Sequence, residues 1–230
     1  MDQYFNVKIF LGSFPQLLER VPYTLGIVLA SFLIGCVAGT VLTCLYRIHS
    51  KALRALVTAY VWLMRGTPLL LLLFISYYGL PMALSSLGLE IDSDDPLAFV
   101  LVAFSMSLSA FFAEMMRAAF EAVDAGQIEA AQSLGLHQFT YYRRIVIPQA
   151  LINSLPNFGN LLVTAIKQSS ILFTIGIMDV YERAITISAE DFGLWQLEVF
   201  LALLVIYWVI AVVVDKSIAL LYRSSLKKVA

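Results

Sequence analysis

The chain is a series of long apolar runs separated by short polar stretches. Five of the runs, at residues 21–47, 53–80, 96–123, 155–178 and 195–222, are long enough to cross a bilayer as helices. Ahead of them, Tyr4, Phe5, Ile9, Phe10, Phe14 and Leu17 recur at roughly helical spacing, which predicts a short helix on the outer membrane surface within residues 1–20. In the first span Gly35 and Gly39 form a G-x-x-x-G pattern that lets a second helix backbone come close. The second run is interrupted by Arg65-Gly66-Thr67-Pro68. Pro68 has no N–H for the carbonyl four residues back and disfavours helical geometry at Thr67, so a kink or break is expected, facing protein or a water-filled cavity. Arg65, beside it, could bind the freed carbonyls.

Polar residues inside the other spans are few. Ser105 and Ser109 lie on one face of the third, where back-bonding to the helix's own carbonyls is expected. Glu114 and Arg117, three apart, read as a structural ion pair near the inner interface. The middle of the fourth carries Thr164, Lys167, Gln168, Ser169 and Ser170. A lysine at mid-helix costs at least ~2.5 kcal/mol on insertion scales, so Lys167 is expected to face a cavity or a partner.

Residues 129–148 are a polar island between spans. Gly126 is expected to end the preceding helix, and residues 127–134 to form a short helix with Glu129 in its first turn, where a carboxylate suits the positive helix end. Ala130 and Ala131 give that helix a small-residue face that can lie close against another protein. Gly135 then allows a sharp turn.

Composition narrows the class. Of 230 residues, 60% are hydrophobic and 13% charged, against roughly 25% charged in soluble domains, so lipid solvates most of the surface. Residues 1–230 read as one transmembrane domain. The net charge of −1 argues against a nucleic-acid partner. No glycine is followed by lysine, which excludes a G-x-x-x-x-G-K phosphate loop. His49 and His137 are the only histidines, Cys36 and Cys44 sit within one span, and no catalytic or metal-binding constellation is expected. With the island inside, the inner segments hold ten basic residues, Arg47, Lys51, Arg54, Arg117, Arg143, Arg144, Lys216, Arg223, Lys227 and Lys228. The outer ones hold three, Lys8, Arg20 and Arg183, which places the N-terminus outside and the C-terminus in the cytoplasm. The outer segments are also acidic, through Glu90, Asp92, Asp94, Asp95, Asp179, Glu182, Glu190 and Asp191.

The island resembles the EAA loop, E-A-A-x3-G-x9-I-x-L-P, of the membrane subunits of ATP-binding-cassette importers. Glu129, Ala130, Ala131, Gly135, Ile145 and Pro148 fill its positions, and Ile147 replaces the usual leucine. Arg65-Gly66-Thr67-Pro68, the run Ala113-Glu114-Met115-Met116-Arg117-Ala118-Ala119, and Gly126-Gln127 resemble the polar amino-acid branch. The resemblance implies an all-α integral membrane protein of the type I importer permease fold, with about five transmembrane helices within residues 21–222. It makes residues 124–150 a cytoplasmic coupling loop that docks on a separate ATPase subunit, where ATP and magnesium would be bound. It further implies a second permease subunit, identical or related, an extracytoplasmic substrate-binding protein, an amino-acid substrate and a bacterial inner membrane. For such a zwitterion Lys167 and Ser169 would suit the donor-rich pole, Gln168 either pole and Glu114 the acceptor-rich pole if it faces inward, and Arg65 is a second candidate for the carboxylate. An ion- or proton-coupled secondary transporter, with Glu114 and Lys167 as the path, is the alternative. A docking loop would then be without purpose, and no inverted repeat is evident.

Overall fold

The computed structural model describes residues 5–48, 50–89, 95–190 and 192–227. Tyr4, His49, Glu90, Asp92, Asp94, Asp191 and Lys228, named above, lie outside them. The described residues form α helices α1 (Val7–Tyr46), α2 (Lys51–Gly66), α3 (Leu69–Phe74), α4 (Leu80–Ser85), α5 (Pro96–Glu121), α6 (Ala125–Ser133), α7 (Gln138–Tyr141), α8 (Ile147–Gln168), α9 (Val180–Glu190) and α10 (Gln196–Leu226). Two π turns, Ile75–Gly79 and Tyr142–Val146, and a 3₁₀ segment, Ser169–Ile175, join some of them without a break. Four helical stretches are long and apolar enough to span a membrane, and α2 with Leu69–Ser85 makes a fifth, bent by 106°.

The expected division near residue 20 is absent. The chain is helical without interruption from Val7 to Tyr46, through Pro15 and Pro22, over about 60 Å. The reason is a continuous buried stripe. Ser13, Leu17, Thr24, Ile27, Val28, Ser31, Gly35 and Gly39 follow one another at helical spacing, and the part before residue 20 packs on Val180, Ala184, Val199 and Leu203 of α9 and α10. Tertiary packing thus outweighs the two missing N–H groups.

The pairing of α1 with α5 is the closest in the fold. A Cβ on Gly35 would lie 2.8 Å from Leu108 Cβ, and one on Gly39 would lie 2.7 Å from the Ser109 carbonyl oxygen. The G-x-x-x-G pattern therefore seats α5 on α1. Ser109 back-bonds to the Met106 carbonyl as expected, at 2.7 Å, but the Ser105 hydroxyl donates across to the Ser31 carbonyl on α1, at 3.2 Å.

Both π turns sit immediately before an X-Pro pair, Leu80-Pro81 and Ile147-Pro148. A proline within a helix leaves the carbonyl four residues back unpaired and crowds it; widening the preceding turn makes room. The widened turn is closed by bonds five residues long, Leu80 N–H to Ile75 and Ile147 N–H to Tyr142. Pro148 therefore does not delay the fourth span to residue 155. It sits in the first turn of α8, which continues through Pro156 to Gln168.

Candidate functional site

The polar island folds as a bracket between the end of α5 and the start of α8. Asp124 caps α6 by accepting the Gly126 N–H at 2.7 Å, so Gly126 lies inside the first turn and is not the stop of the helix before it, which ends at Glu121. Glu129 consequently stands in the second turn, where the helix-end field is weak. The C-terminus is a Schellman closure, with Gly135 N–H on the Gln132 carbonyl at 2.9 Å and Leu136 N–H on Ala131 at 3.1 Å. Gly135 has φ of +71°, the left-handed turn anticipated for it.

The two alanines do not share a face. Ala131 is buried, in a cluster with Ala119, Val123, Tyr141, Val146 and Ala150, and this contact fixes α6 against the end of α5 and the start of α8. Gln149 Nε2 donates to Gln127 Oε1 at 2.9 Å and adds a second tie. Glu129 and Ala130 point outward, with Leu134 and Phe139 exposed at 79% and 67% beside them. His137 is exposed and caps α7, its Nδ1 accepting the Phe139 N–H at 3.3 Å. Pro148 is half-buried at the base of the bracket.

The break at residues 65–68 is held by its own side chains. Thr67 is extended, and its hydroxyl donates to the Leu63 carbonyl at 2.7 Å, so threonine, not Arg65, holds one of the carbonyls freed at the break. Arg65 reaches instead to α5, with Nη1 3.5 Å from Glu114 Oε1. Glu114 also accepts two bonds from Arg117, at 2.6 and 2.9 Å, and Arg117 bonds Glu121 at 2.6 Å. The expected ion pair is thus part of a four-residue network joining the break to α5. Glu114, committed to two guanidinium groups, is poorly placed to serve as a free acceptor pole.

The polar cluster of the fourth span lies where α8 passes into the 3₁₀ segment, and it divides. Lys167 is exposed, with no carboxylate within 4 Å among the described residues, and Gln168 is half-buried beside it. Ser169 is fully buried on the opposite side, donating to the Ile166 carbonyl at 2.8 Å and lying 3.4 Å from the Tyr207 hydroxyl. Lys167 and Ser169 therefore do not line one surface.

Sequence reasoning missed Asp179. Assigned there to an acidic outer segment, it is fully buried at the start of α9, with Oδ1 accepting the Glu182 N–H at 2.9 Å and Oδ2 without a partner among the described residues. Burial pushes its carboxyl up to about 6; the backbone N–H groups of Glu182 and Tyr181 oppose this, and the Glu182 charge adds to it. The signal was present in the sequence, because Val180, Ala184, Ile187 and Ser188 mark a helix with one buried face.

Residues 20–226 match the family described as the inner membrane component of binding-protein-dependent transport systems. The chain is 36% identical over 216 residues to the L-cystine transport system permease protein TcyL of Bacillus subtilis, covering 94% of this chain and 89% of that one. It is 33% identical over 218 residues to the nopaline transport system permease protein NocM of Agrobacterium fabrum, with 94% and 90% covered. Its fold overlays a crystal structure of an amino acid ABC transporter with histidines at TM-score 0.83 and 29% identity, over 95% of this chain and 98% of the other. An inward-facing MetNI methionine ABC transporter gives TM-score 0.70 at 20% identity, with 91% and 95% covered, a likeness of fold. The five-span architecture is that of type I ABC importer permeases, and the chain belongs to the family of inner-membrane components of binding-protein-dependent transport systems.

Proposed function

We propose that the chain is the permease subunit of an ATP-driven amino-acid importer, working as a dimer with an identical or related chain. ATP and magnesium would be held by a separate ATPase that docks on residues 129–148, and an extracytoplasmic binding protein would deliver the substrate. The observation that carries this reading is the bracket itself. A short helix is pinned from behind by Ala131, closed by Gly135, and presents Glu129, Ala130, Leu134 and Phe139 outward. Apolar side chains exposed on a polar loop suit a protein partner. The N-terminus would lie outside and the C-terminus in the cytoplasm, in line with the ten-to-three distribution of basic residues.

The named cargoes of relatives, cystine for the one above and arginine for a Bacillus subtilis permease 34% identical over 203 residues, share an α-ammonium and an α-carboxylate. Lys167, a cation in a span with no carboxylate within 4 Å among the described residues, supplies a pole for the carboxylate, with Gln168 beside it. Arg65 and Glu114 would act through the break in the second span.

Co-purification tests the docking reading. Gly135→Val places a β-branched side chain at a positive φ, a strain of order 1–3 kcal/mol, and is expected to release the ATPase or uncouple hydrolysis from uptake. Full ATPase binding together with full substrate-stimulated uptake in that variant would refute it. For the cargo, Lys167→Met should abolish amino-acid binding to the solubilised, still assembled complex. Unchanged affinity would remove Lys167 from the pathway.

A further inference from the structure

At one end of the spans the termini of three helices, with His137, Gln138, Phe139 and Tyr142 of the bracket, surround a cleft of about 930 Å³. Arg47 is the cap of α1, Arg54 lies in the first turn of α2, and Glu121 ends α5, so the mouth stands where helices leave the hydrocarbon. A smaller groove of about 410 Å³ continues along α2, sharing Arg54, Thr58 and Trp62 with the cleft and adding Lys51.

The two halves of this space differ in chemistry. The cleft and groove together carry Arg47, Lys51, Arg54 and Arg117 against Glu114 and Glu121, four cations to two carboxylates, with Arg47, Lys51, Arg54 and Glu121 at the mouth. Both carboxylates are bonded to Arg117, which leaves the other three cations without a carboxylate within 4 Å among the described residues. Arg47 and Arg54 are nonetheless held in place. The Arg47 guanidinium lies 3.9 Å from the Phe120 ring centroid, and Arg54 donates through Nε to the Tyr46 carbonyl at 3.3 Å while lying 5.3 Å from the Tyr46 ring. Their remaining N–H groups point to no protein acceptor among the described residues. Away from the mouth the wall is largely apolar, with Val57, Val61, Trp62 and Ala113 beside Thr58 and the Arg117-bonded Glu114.

We propose that this cleft binds an anionic phospholipid, its phosphodiester against Arg47 and Arg54 and an acyl chain along α2 past Val57, Val61 and Trp62. Basic pockets between membrane helices at the headgroup level suit such lipids, and an acyl chain uses the apolar wall that a free phosphate would leave unfilled. The orientation proposed above assigns the lipid to the cytoplasmic leaflet; the site itself does not depend on it.

Trp62 lines both the cleft and the groove and reports on the occupant. The full chain carrying Trp195→Phe and Trp208→Phe, leaving Trp62 as the sole tryptophan, is placed in phosphatidylcholine nanodiscs. A minor fraction of brominated phosphatidylglycerol, or the same fraction of brominated phosphatidylcholine, is then added. The anionic lipid is expected to quench Trp62 more strongly. Arg47→Gln and Arg54→Gln should each weaken that preference about fivefold, whereas Arg54→Lys should largely keep it. Equal quenching by the two lipids, or a preference that survives the double glutamine variant, overturns the proposal. So does loss of the preference in millimolar inorganic phosphate, which marks a free-anion site, and so does the absence of quenching by either lipid, which marks a cleft covered by protein.

Discussion

The Thr24 hydroxyl on α1 accepts the backbone N–H of Val180 at 2.9 Å, which anchors the first turn of α9 directly after the buried carboxyl of Asp179. That carboxyl has a pKa of about 6 when folded and about 4 when exposed, so the folded state holds its proton more tightly. The stability present below pH 4 is therefore lost as pH rises through 6, by up to about 3 kcal/mol. Asp179→Asn carries no such charge and should flatten the dependence. Thermal unfolding in detergent at pH 4.5 and 7.5 checks this: the wild-type protein should lose more melting temperature between the two than the variant. Parallel changes would show that Asp179 is already neutralised by some other means.

Gly39 and Gly12 make a matched pair of substitutions. A methyl on Gly39 meets the Ser109 carbonyl oxygen at 2.7 Å and the Phe112 ring at 2.8 Å, whereas one on Gly12 meets nothing within 4 Å among the described residues. Gly39→Ala should cost about 1–3 kcal/mol as α5 is pushed off α1, and Gly12→Ala should be neutral or slightly stabilising. Unfolding curves of the two variants decide it, and similar stability in both would contradict the close seating of α5.

Ala130 and Ala131 should separate assembly from folding. Ala131→Leu overpacks the cluster around Tyr141 and Val146 and is expected to lower stability by about 1–3 kcal/mol. Ala130→Leu should leave the melting temperature unchanged and weaken ATPase recovery on co-purification. Reversal of the two phenotypes would mean that α6 docks by its other face.

Pro68→Ala restores an N–H at the break but leaves the Thr67 hydroxyl on Leu63 and Arg65 near Glu114. The 106° bend is consequently expected to persist in part, with transport altered more than melting temperature. Adding Thr67→Val removes the carbonyl's partner and should deepen the transport defect. Wild-type uptake in the double variant would show that the break has no part in transport.

The spans were legible because apolar length is a one-dimensional signal, and the break was legible because Gly-Thr-Pro removes a donor at a known place. The size of the bend was not, since it depends on what Arg65 and Leu69 meet across the fold. Pro148 was read as a boundary, although the same residue suits the first turn of a helix once a π turn precedes it. The continuity of α1 and the inward face of Ala131 depend on partners far along the chain. For Asp179 and α9 the fault lay in taking a charged segment between spans as surface, when Val180, Ala184 and Ile187 already marked an apolar face.

The seating of α5 in the glycine notch of α1 also bears on how the chain is made. Ser31 and Ser105, which join the two helices, are 74 residues apart, and the whole second span lies between them. During synthesis the first helix must therefore enter the bilayer with its notch open to lipid and wait there until the third span has left the ribosome. Acyl chains are the natural temporary filling, and their release into the bulk bilayer then accompanies the arrival of the permanent one.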